Sequence, residues 1–292
     1  MPADQTDMPQ IQLSLVSTVT QGLPFSVVGR VSAAIQEQFN FHVHPIWGVS
    51  ATIDAIESID DIGERWLIQI CDRLNPGIEG THEDDEDGVP FALVSVQANV
   101  NLGTDADWSV QASHEALEIV VDPYGKDTRL GADPRDINAR VSFLNEICDP
   151  VQSCYYPMPN GIYVCDFYTP DFFDTQGTAG GRYSYTNKLS SPREIMKGGY
   201  LYFEDASRQW WRWSKFDSSD GGTFMKIQKP QMSAVSLRNH FDTLTPERLQ
   251  IRKEHVTKLS AIDRRQRGKN RSRIRRLKQK ISDLIGQGAA EQ

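Results

Sequence analysis

The stretch SHEALEIVVDP, residues 113–123, constrains the fold more than any other part of the chain. Leu117, Val120 and Val121 recur at helical spacing, which predicts a helix from Trp108 to Val121 with one face turned inward. His114 and Glu118 are four residues apart and so stand one turn apart on a single face. Glu115 follows the histidine directly and points into a neighbouring part of the same cleft. An imidazole and a carboxylate at i and i+4, with a second carboxylate at i+1, can hold a divalent metal and set a base beside it. The same residues would equally suit an ordinary solvated helix face.

The flanking sequence separates these readings. Upstream, PFALVSVQANV (90–100) alternates and predicts a strand, and Asn101, Gly103, Thr104 and Asp105 make a turn into the helix. Downstream, Pro123 stops the helix and PYGKDTRLGADPRD (123–136) reads as loop. INARVSFLNEI (137–147) reads as a second site helix with Asp136 as its N-cap, and LNEICDP (144–150) places Asn145, Glu146 and Asp149 together. Asp122, four residues beyond Glu118, extends the face of His114, either as a partner of the site or as a plain Asp-Pro helix end.

This arrangement resembles the thermolysin-like zinc peptidases, the gluzincins, which pair H-E-x-x-H with a later N-E-x-x-x-D. Here the first motif is H-E-x-x-E, and the second, Asn145-Glu146-x-x-Asp149, is one residue shorter and begins its acid 28 residues after Glu118. The resemblance covers roughly residues 90–150. It implies an α+β zincin-like domain: a mixed sheet with an edge strand, a metal-bearing helix and a second site helix. It further implies Zn²⁺, or another divalent cation, held by His114, Glu118 and Glu146. Glu115 would be the catalytic base and Asp149 the acceptor that orients His114, with Asp122 beside it. A tyrosine would donate to the oxyanion, and Tyr155, Tyr156 and Tyr200 are the candidates. The implied activity is hydrolysis of a peptide or protein substrate. Glu118 in place of a second histidine adds negative charge at the ion, makes bound water a poorer acid and suits harder ions such as Mn²⁺, Ca²⁺ or Mg²⁺. A zincin-like scaffold without catalysis, acting as a binding protein, is therefore the alternative.

The rest of the chain supplies the frame. IQLSLVSTV (11–19) reads as a strand, residues 25–43 as a helix, and 44–56 and 65–74 as further strands. EGTHEDDEDG (79–88) reads as a solvated acidic loop in which His82 is a surface residue; Asp85, Asp87 and Gly88 only partly match a calcium loop. The Tyr-, Phe- and Pro-rich run 155–173 is strand-like, and 198–216 predicts a hairpin turning at Glu204–Ser207. Together, residues 10–240 are expected to form the metal-dependent domain.

A second region is electrostatically distinct. Residues 247–292 hold 14 Lys/Arg against 5 Asp/Glu, a balance of +9, which leaves −17 for the remainder of a chain of net charge −8. Thr245-Pro246-Glu247 starts a basic helical tail over 245–286, with a break near Gly268-Lys269-Asn270. Ile274, Leu277, Ile281 and Leu284 form a narrow seam in it, suited to docking on the acidic body or to pairing with a second copy. Residues 264–280 are dense enough in cations for nucleic acid or an acidic partner, although no aromatic residue interleaves them. Cys71, Cys148, Cys154 and Cys165 make no C-x-x-C pair, so they are expected reduced and partly buried; Cys148 and Cys154 could meet across a loop. The polar N-terminus and the lack of a long apolar run suggest a cytoplasmic chain without a membrane span. No Rossmann glycine pattern, P-loop or serine elbow occurs, which argues against nucleotide-driven and serine-nucleophile chemistry.

Overall fold

Two five-stranded sheets organise the chain, and a buried helix packs against the first of them. A computed structural model describes residues 11–20, 22–74, 79–97, 104–174, 177, 180–216, 221–228 and 270–286. The first sheet is built from β1 (Ile11–Ser17), β2 (Ala51–Ala55), β3 (Trp66–Cys71), β4 (Gly80–Asp84) and β5 (Pro90–Ser95), in the order β2-β1-β3-β5-β4. Only β4, at one edge, runs antiparallel to its neighbour. Helix α1 (Phe25–Gln38) makes the crossover from β1 to β2. It continues through a π turn, Phe39–Val43, into the short α2 (His44–Trp47), which Gly48 ends at φ 70°, a conformation open to glycine at little cost. Helix α3 (Ser109–Val121) follows β5.

The second sheet follows α3 in sequence. It contains β6 (Thr128–Asp133), β7 (Asp136–Leu144), β10 (Tyr200–Glu204), β11 (Trp210–Ser214) and β12 (Thr223–Ile227), in the order β12-β11-β10-β7-β6. A small hairpin of β8 (Tyr155–Pro157) and β9 (Tyr163–Cys165) lies between β7 and β10 in sequence. The expected β10–β11 hairpin is present, with Tyr200 opposite Ser214 and Glu204 opposite Trp210.

Residue alternation assigns each face of the first sheet. Leu13, Leu15, Ile68, Ile70, Ala92 and Val94 face a large core shared with α1, α3 and the second sheet. Val16, Leu67, Phe91 and Leu93 face the other way, into a separate cluster. That cluster is closed by α4 (Asn270–Gly286), whose Ile274, Leu277, Ile281 and Leu284 are all buried. The apolar seam of the basic tail is thus spent on the chain's own sheet. Leu277 is fully buried there, and Leu277→Ala should cost about 2–5 kcal/mol, read as a lower midpoint in urea unfolding.

Several segments depart from the expectation. Residues 137–147 are not a second site helix: 136–144 form β7, paired antiparallel with β6, which lies where a loop was expected. The segment fits both periods, because Ile137, Val141 and Leu144 have helical spacing while Ile137, Ala139, Val141 and Phe143 alternate. Pairing with β6 and β10 settles it as strand. The run at 90–95 is the interior strand β5, buried throughout, and the edge is the acid-rich segment expected to be a solvated loop. Asp85 is likewise not part of a calcium loop. It is buried, accepts from the backbone N–H groups of Asp87 and Val89, and pairs with Arg273. The expected helix start at Thr245 lies outside the described residues. Among the described residues, no helix is long and apolar enough to cross a membrane.

Candidate metal centre

Helix α3 is buried almost all round, from Ser109 to Val120. Its polar residues are therefore not a solvated face. Glu115 and Glu118 are 0% exposed and His114 is 2% exposed. Small hydroxyls lock the helix against β9: Ser113 Oγ accepts from the Cys165 N–H at 2.8 Å, and Ser109 Oγ donates to the Tyr163 carbonyl at 2.7 Å. On its face His114 Nε2 and Glu118 Oε2 lie 3.1 Å apart, as the i, i+4 spacing requires.

Three other segments deliver side chains to this face. The turn after β7 carries Glu146, and the 3-10 turn Asp149–Val151 carries Asp149; both residues are buried. The edge strand β4 carries His82, which sequence reading placed at the surface and which is only 2% exposed. His82 Nδ1 is 3.1 Å from Glu115 Oε2 and 3.8 Å from Glu118 Oε2. Its strand can come this close because residue 80 is glycine. A Cβ there would collide with Glu115 Oε1.

The ligand-type atoms fall into two overlapping groups, His82 with Glu118 and Glu146, and His114 with Glu118 and Cys148, each group lying within 4.8 Å. Glu118 is common to both. Of the ligands inferred from sequence, His114 and Glu118 meet directly, and Glu146 meets Glu118 alongside His82 rather than from a helix of its own. Asp149 takes a different position from the one expected. Its Oδ1 is 3.4 Å from His114 Nε2, the nitrogen that also faces Glu118, and so not on the far side of the ring. Asp122 caps the end of α3 and accepts from the Asp127 N–H at 2.8 Å, the role of an Asp-Pro helix end.

Charge makes the cluster unusual. Glu115, Glu118, Glu146 and Asp149 are four buried carboxyls beside two buried imidazoles. Even with both rings protonated, the fully ionised set is two charges negative, a state that burial penalises heavily. Burial on its own would strip the proton from His114, but Glu118 and Asp149 hold its pKa well above the usual imidazole value. Burial also pushes Glu115 towards its neutral acid. The hydrogen bond from His82 and the charges of His114 and His82 outweigh this and leave its pKa below the usual carboxyl value. Burial raises Asp122 and, strongly, the Cys148 thiol.

A divalent cation fits this set. Two ligands about 2.0–2.1 Å from one tetrahedral ion lie about 3.3 Å from each other. The observed 3.1 Å from His114 Nε2 to Glu118 is close to that edge, and because His82 Nδ1 donates to Glu115, Nε2 is the His82 nitrogen that would serve a cation. The Glu118 carboxylate is itself anchored, because Oε1 accepts from the Cys148 N–H at 3.2 Å.

The tyrosines inferred as oxyanion donors are engaged elsewhere. Tyr155 is exposed and packs edge-on to Tyr163. The Tyr156 hydroxyl accepts from Gln38 at 3.1 Å and faces His42 Nδ1 at 2.9 Å. Tyr200 belongs to a separate cluster with Leu144, Tyr202, Trp210 and Ile227. Tyr168 instead flanks the carboxylates. It is fully buried, donates to Asn145 Oδ1 at 3.0 Å, and its pKa is driven well up by burial, with Glu146, Glu118 and Asp149 adding. Its sequence signal was no stronger than that of the other tyrosines in the same run. The four cysteines are free and buried, and Cys148 meets Cys165, at 3.5 Å between sulfurs, rather than Cys154.

Compared with family models, curated proteins and solved structures, the chain matches none.

Proposed function

We propose that the protein is a metal-dependent hydrolase of zincin-like organisation acting on a peptide or protein, with Zn²⁺ as the favoured cation. The observation that carries this is the convergence of His82, Glu118 and Glu146, all buried, from an edge strand, a central helix and a turn, with the buried His114 3.1 Å from the same Glu118. The succession of strand, helix, two strands, edge strand, inner strand and site helix supports the same reading. The donor set of imidazoles and carboxylates suits Zn²⁺ and also Mn²⁺. When bound, such a cation polarises a carbonyl and makes coordinated water more acidic.

The chain's own residues would then divide the work. Glu118, shared by both groups, would hold the cation with His82 and Glu146 or with His114, and Asp149 stands 3.4 Å from His114 Nε2. Glu115, kept ionised, is the acceptor for a proton released at the site. Gln111 fixes its other oxygen, donating to Oε1 at 2.7 Å. Its contact with His82 Nδ1 also sets that ring's orientation.

Glu115→Gln tests the assignment. Hydrolysis of a mixed peptide substrate should fall about 10²–10⁴-fold while metal content, measured by mass spectrometry, stays stoichiometric. Loss of metal instead would make Glu115 a support of His82 and remove it as the base.

One observation favours a second reading. The six central side chains, His82, His114, Glu115, Glu118, Glu146 and Asp149, are each no more than 2% exposed. A cation among them would then tie α3, β4 and the turn after β7 together without turnover. Stoichiometric metal in a wild-type protein inert towards peptides would select that reading.

A further inference from the structure

We infer that the basic C-terminal helix α4 is a brace that positions His82, acting through the edge strand from the opposite face of the sheet; this rests on the metal-centre reading above. Among the described residues, strand β4 has a β partner on one side only, where it pairs with β5. Its register puts His82 opposite Ala92 and Glu83 opposite Phe91. Ala92 belongs to the core on the α3 side and Phe91 to the cluster under α4. Successive residues of one short strand therefore serve the two faces: His82 reaches the metal centre and Glu83 reaches α4.

The strand and its turn present five acids in succession, Glu83, Asp84, Asp85, Glu86 and Asp87. Such a segment repels itself and would be solvated on its own. Cations from α4 meet it along its length. Lys280 Nζ lies 3.3 Å from Glu83 Oε2, donates to the Asp84 carbonyl and sits over the Phe91 ring. Arg276 pairs with Asp87 and Glu86. Arg273 is nearly buried; its Nε donates to Asp85 Oδ2 at 3.1 Å, and its other nitrogens reach the Gly63 and Arg65 carbonyls at 3.2 and 3.4 Å. Arg273 thereby ties the end of β4 to the loop that enters β3 in the sheet's middle. A buried pair of this kind is costly to break from one side.

Arg273 and Lys280 are therefore positioning residues for His82. The test uses the full-length chain and two readouts: Zn²⁺ affinity by competition with a chromophoric chelator, and hydrogen exchange of the amides of residues 80–84. Lys280→Ala, at a partly exposed side chain, and Arg273→Ala should each weaken Zn²⁺ binding at least tenfold and speed exchange in β4, with exchange in β1 and β3 unchanged. Arg273→Lys, which keeps the charge but loses the fork, should recover only part of the affinity. Ile227→Ala, in the separate cluster on the second sheet, should lower Tm and leave Zn²⁺ affinity untouched, which separates positioning from general stability. Should Arg273→Ala not fold, Lys280→Ala decides alone. Wild-type affinity in a variant whose β4 exchanges faster overturns the inference, as does unchanged exchange. A wild-type chain that binds no Zn²⁺ overturns the metal reading itself, and the inference with it.

Discussion

Replacing Glu118 with glutamine is expected to empty the proposed metal centre. Glu118 alone belongs to both groups of ligand atoms found among the described residues. Its Oε2 faces His114 at 3.1 Å and His82 at 3.8 Å, and its Oε1 is held by the Cys148 N–H. Glutamine keeps the shape and can still accept from Cys148. It brings an NH₂ group to the side where the imidazoles stand and removes one negative charge. Supporting residues around a metal commonly contribute 10–100-fold in affinity, so loss of the shared ligand should cost on the order of 100-fold or more. Chelator competition reads the affinity, and mass spectrometry reads the content. Stoichiometric Zn²⁺ at wild-type affinity in Glu118→Gln would remove the carboxylate from the site and leave the two imidazoles unconnected through it. The effect should exceed that of Glu115→Gln, because Glu115 touches His82 and Gln111 whereas Glu118 spans both imidazoles.

The parts of this centre differed in how plainly the sequence showed them, and the reason is the range over which each is specified. His114 and Glu118 share one helix, and helical periodicity fixes their separation without help from the rest of the fold. Glu146 and Asp149 were found by their motif, although the element carrying them was misread. Residues 136–144 satisfy both periods, and only pairing with β6 on one side and β10 on the other decides between them. His82 was missed for a stronger reason. Its neighbours are acids, and a run such as EDDED is a solvated loop unless cations meet it. Those cations come from α4, with Arg273 lying 188 residues beyond Asp85 in the chain. No local pattern records that partnership. The tail's charge balance did show that a basic element existed and that the body was acidic enough to receive it. The apolar seam at 274, 277, 281 and 284 fits the face that now covers Phe91 and Leu93. Both signals for β4, its acids and their cations, thus stand in the sequence, in segments that nothing local connects.

Removing the metal is expected to destabilise the fold and to reverse its response to pH. A cation bound at about 1,000 times its Kd stabilises the native state by about 4 kcal/mol. For a domain of this size that corresponds to a fall in Tm of roughly 10 °C after exhaustive treatment with EDTA. In the metal-free protein, burial works against a charged His114, but Glu118 and Asp149 outweigh it, so the ring holds its proton more tightly than in the unfolded chain. A group whose pKa is raised on folding contributes in full below its ordinary value, here 6.5, and that contribution is lost as pH climbs through the raised value. The metal-free protein should therefore weaken as pH rises above neutrality. The loaded protein behaves in the opposite sense, since a ligating imidazole must be unprotonated and protons compete with the cation. The difference in Tm between loaded and stripped protein should widen steadily from about pH 6 to about pH 9. Scans of both forms in matched buffers at three pH values measure it directly. Restoring Zn²⁺ to the stripped protein should recover the lost stability. A difference that stays flat or shrinks across that interval would mean that His114 does not exchange a proton for the cation, and the imidazole would have to be withdrawn from the ligand set.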